Sequence, residues 1–186
     1  MIVVVILVVL YLLYTVLILK KTQELIKYNS EFNSHGFHHA IIIAHKINAV
    51  NGEYNKSDYL SGIDLLIEKF QKHPNKINYK IYEVDSKEQV IPIINDDRTT
   101  HLWIFGHGQR NKLRFQSGNL CYFEVRDAPK KQFIGQYHCN TLIGNSLADY
   151  NQPRNQDVSR WLRFEPFIRI AIFKKFKELE SKNLLF

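Results

Sequence analysis

The chain has 186 residues, a formal net charge of +7, 45% hydrophobic and 13% aromatic residues. That apolar content excludes a disordered chain, and 2 cysteines exclude a disulfide scaffold. Beyond the first segment the length is that of one ordinary domain.

The run from Ile2 to Leu19 carries no charge, is interrupted only by Tyr11, Tyr14 and Thr15, and is closed by Lys20 and Lys21. At ~1.5 Å per residue such a run just spans a bilayer core. A cleaved signal peptide would need a basic stretch before the run and a small-x-small site after it. Neither is present, so residues 1–21 are expected to form an uncleaved transmembrane anchor. Lys20, Lys21 and Lys27 all follow the run, which by the positive-inside rule gives a single-pass membrane protein with its soluble domain in the cytoplasm. A reducing compartment would keep Cys121 and Cys139 as thiols, while a bridge between them stays open.

Residues 22–39 read as a polar juxtamembrane linker and residues 40–186 as the domain. Ala40 to Ala44 is a short unbroken apolar run, as expected for a buried parallel strand. From Asp58 to Lys72, Leu60, Ile63, Leu66, Ile67 and Phe70 recur at helical spacing, with Ser57 as N-cap and Pro74 beyond the end. Ile77 to Val84 alternates like a strand, and Lys87 to Asn95 makes a short helix limited by Pro92. Leu102 to Phe105 is a third strand, and Phe133 to Tyr137 a fourth. Between them a hairpin turns around Ser117-Gly118-Asn119. Asn145 to Tyr150 starts a helix, 151–155 is loop, and Pro166 to Ser181 is a last helix, apolar on more than one face. The order predicts an α/β fold: a three-layer open sandwich with a mostly parallel sheet, preceded by the one transmembrane helix.

Two of these strands end in chemistry. His101-Leu102-Trp103-Ile104-Phe105 runs into Gly106-His107-Gly108, and Phe133-Ile134-Gly135-Gln136-Tyr137 runs into His138-Cys139-Asn140. Open α/β sheets build their sites at the carboxyl ends of strands. If the two strands are neighbours, their ends lie roughly 5 Å apart. An imidazole in reach of a thiol lowers its pKa and shuttles its proton. Gly108 lets its N–H approach a substrate carbonyl and help hold an oxyanion, and Gly106 gives the turn its freedom. His107, Cys139 and Gly108 are therefore the catalytic candidates.

On Trp103-Ile104-Phe105-Gly106-His107-Gly108 and Phe133 to Cys139, with Ala40 to Ala44 as first strand, the chain resembles the caspase-like cysteine peptidases of clan CD, which include metacaspases and CHAT domains. The resemblance covers about Ala40 to Asp149. His138 stands where that group usually has a small or acidic residue. The resemblance implies a cysteine endopeptidase with a His-Cys dyad. It also implies that His45, which follows the first strand, lies where caspases place a substrate-reading basic residue.

Asp149 is an orienting or substrate-reading candidate. Cys121 and His138 read as packing residues, since strand alternation points His138 away from Cys139. No metal or cofactor is expected: His35, His38 and His39 fall in the linker, without Cys or carboxylate at ligand spacing. No nucleoside-phosphate loop or serine-hydrolase elbow is present. The basic tail, with Arg154, Arg160, Arg163, Arg169, Lys174, Lys175, Lys177 and Lys182, fits anionic lipid headgroups. Nucleic-acid binding has no signature here. The expected partners are a protein or peptide substrate and membrane lipid. The alternative is a catalytically inactive caspase-like module binding a partner at the membrane.

Overall fold

The computed structural model describes residues 2–27, 36–44, 62–115, 117–138, 143–158 and 165–186. Within them the apolar runs build a 7-stranded sheet. Strands β1 (His38–Ala44), β2 (Tyr79–Val84), β3 (Thr99–Gln109), β4 (Lys112–Phe115), β5 (Gly118–Cys121), β6 (Phe133–Tyr137) and β7 (Asn155–Val158) follow in chain order. In space the parallel part runs β2-β1-β3-β6-β7. β4 and β5 form an antiparallel hairpin on the far end of β3. The chain leaves β1 for β2 on one side and returns to β3 on the other. A topological switch therefore lies between β1 and β3, the place where open α/β sheets receive ligands.

Strand alternation sorts the core into two layers. Ile41, Ile43, Trp103, Phe105, Phe133 and Tyr137 face one side, covered by α2 (Ile63–Lys72) and α5 (Glu165–Ser181). Ala40, Ile42, Leu102, Ile104 and Ile134 face the other, covered by α3 (Lys87–Asn95), α4 (Leu147–Asn151) and the hairpin. This is the expected three-layer α/β sandwich. Trp103 is fully buried at the centre of the first layer, edge-on to Phe70 and packed on Phe133 at 4.5 Å. Truncating such a residue to Ala typically costs about 3–5 kcal/mol. Pro92 lies inside α3 but on its exposed side, while Val90, Ile93 and Ile94 are buried, so the helix keeps its apolar face despite one lost backbone bond.

The helix α1 (Ile2–Lys27) has 26 residues, about 39 Å at 1.5 Å per residue. Its described apolar side chains from Val4 to Leu17 are exposed on every side. Among the described residues no helix is long and apolar enough to cross a membrane. The C-terminal part of α1 touches the domain: Ile18 is buried, and Lys21 Nζ lies 3.2 Å from Glu68 of α2.

Three expectations need correction. The helix continues past Lys21 to Lys27, so residues 22–39 are not all linker. β1 begins at His38, and both His38 and His39 are buried in it rather than lying in a polar approach. They are stable there because each ring nitrogen finds a partner. His38 meets the Gly36 carbonyl, Tyr82 and Thr99, and His39 meets Trp103 and the Leu185 carbonyl. Finally, Asn155, expected at the end of the 151–155 loop, opens β7, a short polar strand completing the parallel edge. The start expected for α2 near Asp58, with Ser57 as cap, lies outside the described residues.

Candidate active site at the carboxyl edge of the sheet

β3 and β6 are parallel neighbours, and Phe105 pairs with Tyr137. His107 and Cys139 are each two residues further along their chains. The described parts of both strands therefore run in matched register toward the carboxyl edge as far as Phe105 and Tyr137. Cys139 itself falls in 139–142 and His45 in 45–61, outside the described residues.

His107 is not in a turn. β3 leaves the parallel sheet at Gly106 and continues to Gln109, pairing with β4 so that His107 lies opposite Arg114. His107 is half-buried. Gly106 acts as a point of close approach: it has φ +148°, and a Cβ there would meet Ala44 Cβ at 2.8 Å and its carbonyl oxygen at 2.9 Å. Any larger residue would push β1 and β3 apart at the switch point.

Gly108 is buried beneath the next layer. A Cβ there would lie 2.5 Å from the Lys112 carbonyl oxygen and 2.7 Å from His138 Nδ1. The glycine is thus required by the hairpin and by the His138 ring, a role the sequence did not disclose. Gly108→Ala is expected to destabilise the fold by about 1–3 kcal/mol, since backbone cannot yield as a side chain would. Chemical denaturation measures this. An unchanged midpoint would mean that the hairpin shifts freely and the close packing is incidental.

His138 is buried, as alternation required. Its Nε2 lies 2.7 Å from Tyr122 Oη and 3.4 Å from Gln136 Nε2. The Gln136 amide is a donor, so Nε2 is best satisfied as an acceptor that also takes the Tyr122 proton. Burial pushes the Tyr122 phenol far above its ordinary pKa, so it stays a neutral donor. The Gln136 side-chain oxygen accepts from Ala148 N at 3.3 Å. One polar network thus ties the segment entering Cys139 to the hairpin and to α4.

Asp149 is engaged within the fold. Its carboxylate accepts from Ser146 N at 2.7 Å and pairs with Arg110 at 2.9 Å, while Asp149 N donates to Ser146 Oγ at 3.1 Å. This is a capping box at the start of α4, joined to Arg110, the first residue after β3. Burial works to raise the Asp149 pKa, but the Ser146 bonds and Arg110 outweigh it and hold the carboxyl below its usual range. The motif Ser146-Leu147-Ala148-Asp149 was readable as an N-cap signature. The pair stitches the segment after Cys139 to the end of β3.

Sequence reading also passed over Asp157. It lies on β7 opposite Gly135, beside the Tyr137 ring, and burial raises its pKa while Lys175 and Tyr137 oppose the rise. Tyr137 Oη has no hydrogen bond of ordinary geometry, so we read Asp157 as acting on it through charge rather than through a bond. Cys121 is an exposed free thiol at the end of β5, and its N–H donates to Glu124 at 2.9 Å. It ends the hairpin, as expected, but is exposed rather than packed. Among the described residues no cluster of His, Cys, Asp or Glu is arranged to hold a metal ion.

Among the described residues, the edge thus presents a half-buried imidazole, His107, with Gly108 next to it and the Tyr122–His138–Gln136 network behind. No protein-family model matches this sequence, and no curated protein matches it.

Proposed function

We propose that this chain is a membrane-anchored, caspase-like cysteine endopeptidase. Cys139 attacks a peptide carbonyl, and His107 takes its proton and returns it to the leaving amine. Water then hydrolyses the resulting thioester with His107 as base. The Gly108 N–H is the candidate donor to the oxyanion. The observation that supports this reading is the parallel pairing of β3 with β6, Phe105 against Tyr137, two residues before His107 and Cys139 in their chains. The uncharged run Ile2 to Leu19, helical and exposed from Val4 to Leu17, supports the anchor, and the lysines after it support a cytoplasmic domain.

A panel of peptidyl acyloxymethyl ketones, incubated with the full-length chain in detergent, tests the enzyme. The expected product is a covalent adduct on Cys139, located by mass spectrometry. Adducts on Cys121 alone, or on neither thiol, would favour the non-catalytic binding module.

A further inference from the structure

The helix α5 is apolar on two opposite sides, and among the described residues only one of them is buried. Ile168, Ile172, Phe176 and Leu179 are buried against the sheet and α2. On the other side Phe167, Ile170 and Phe173 are 58%, 49% and 43% exposed. At about 100° per residue, Phe167, Ile170, Phe173, Lys174 and Lys177 fall on one stripe facing away from the core. Lys69 of α2 reaches over the Phe173 ring at 5.1 Å. A solitary exposed Phe needs no explanation, whereas an aromatic and aliphatic stripe edged by lysines does.

The position of the stripe says what covers it. α1 meets the domain at α2, through Ile18 and the 3.2 Å contact of Lys21 with Glu68. Lys69, the next residue of α2, is the one over Phe173. The end of the apolar run and the α5 stripe are thus joined through adjacent residues of a single helix. Charge agrees. Lys177 pairs with Glu180 at 2.8 Å, whereas among the described residues neither Lys69 nor Lys174 forms a close ion pair, Lys69 acting on Glu180 only from a distance. Lysines can lay their stems along apolar surface and lift their heads to phosphate, the pattern of an interfacial helix on anionic lipid.

We propose that the outer face of α5 is a second membrane contact. Phe167, Ile170 and Phe173 enter the headgroup layer, and Lys69 and Lys174 meet anionic lipid, so the domain lies on the bilayer beside its anchor. The proposal rests on the anchored reading above. It adds an orientation: α2 and α5 lie toward the lipid, and the α3 and α4 layer points away.

The test uses full-length protein carrying Ile170→Trp, reconstituted into phosphatidylcholine vesicles with or without phosphatidylserine. Brominated lipids report contact by quenching tryptophan. The expected result is a fluorescence loss of several-fold over the parent protein's, seen with phosphatidylserine, weakened by high salt and by Lys69→Glu with Lys174→Glu. Phe173→Trp should behave alike and serves if Ile170→Trp does not fold. Protein that floats with the vesicles but shows no added quenching at either position would overturn the docking while leaving the anchor intact. Protein that does not float would overturn the anchor, and the docking with it. Shielding of both tryptophans by self-association, without quenching, would assign the stripe to a second copy and also overturn the proposal.

Discussion

Cys139→Ala is expected to abolish peptide cleavage, because Cys139 is the proposed nucleophile and the chain has one other thiol. The remaining thiol, Cys121, is committed to the hairpin end by its backbone contact with Glu124. His107→Ala should lower kcat/KM by several orders of magnitude, since the thiol loses its base and the amine loses its acid. Cys121→Ala should leave the rate near that of the parent. Stability should change little in the His107 variant, since that side chain is half-buried and lies beyond the parallel core. Steady-state kinetics on a fluorogenic peptide, paired with denaturation of each variant, measures both effects. Loss of activity in Cys121→Ala with retention in Cys139→Ala would mean that the wrong thiol has been assigned.

Acid should unfold this protein in a defined window. His39 and His101 face each other across β1 and β3, their rings stacked at 3.8 Å and 3° from parallel. His39 Nδ1 accepts from Trp103 Nε1 at 3.2 Å, so Nε2 carries the proton and donates to the Leu185 carbonyl at 3.0 Å. His101 Nε2 likewise donates to the Leu184 carbonyl at 2.7 Å, with Nδ1 at 2.8 Å from Thr100 Oγ1. Two neutral imidazoles thus hold the last residues of the chain against the sheet. Burial drives the His101 pKa down to about 4, and burial, then the neighbouring His101, takes His39 well below its ordinary value. Both folded values lie below the unfolded one, so the unfolded chain binds more protons as pH falls. Their stabilising effect is therefore complete above about pH 6.5 and is lost progressively toward pH 4. At about 1.4 kcal/mol per unit, His101 alone accounts for roughly 3 kcal/mol. Protonated His39 would also set an N–H against the Trp103 N–H. Urea denaturation between pH 8 and pH 4.5 should show a steep loss below pH 6.5. His101→Phe should start less stable but fall with a slope smaller by about one proton. A flat profile would mean that the rings titrate normally and the tail is not held this way.

The parallel core was legible because it is written in unbroken runs. Ala40 to Ala44, Leu102 to Phe105 and Phe133 to Tyr137 have no reading but buried strands, and each is one. α3 was placed to the residue, since its apolar spacing survives Pro92. β7 was not legible: Asn155-Gln156-Asp157-Val158 has no alternation, and it is a strand only because β6 offers an edge. The register of β3 with β6 was an assumption in the sequence and is now a pairing. What the sequence concealed were contacts between distant residues. His39 and His101 looked like linker and strand start, yet they clamp residues more than eighty positions away. Gly108 suggested chemistry and His138 packing, and the two are packed on one another. Asp149 looked like a free carboxylate because the local capping box was overlooked.

The dyad is the central claim, and the ionisation of one thiol tests it most directly. In the full-length protein carrying Cys121→Ala, iodoacetamide reacts only at Cys139, and its rate against pH reports the thiolate fraction. The pairing of β3 with β6 predicts an inflection well below the ordinary cysteine value of about 8.5, returning toward that value in His107→Ala. An inflection near 8.5 that His107→Ala does not move would contradict the assignment of this edge as an active site.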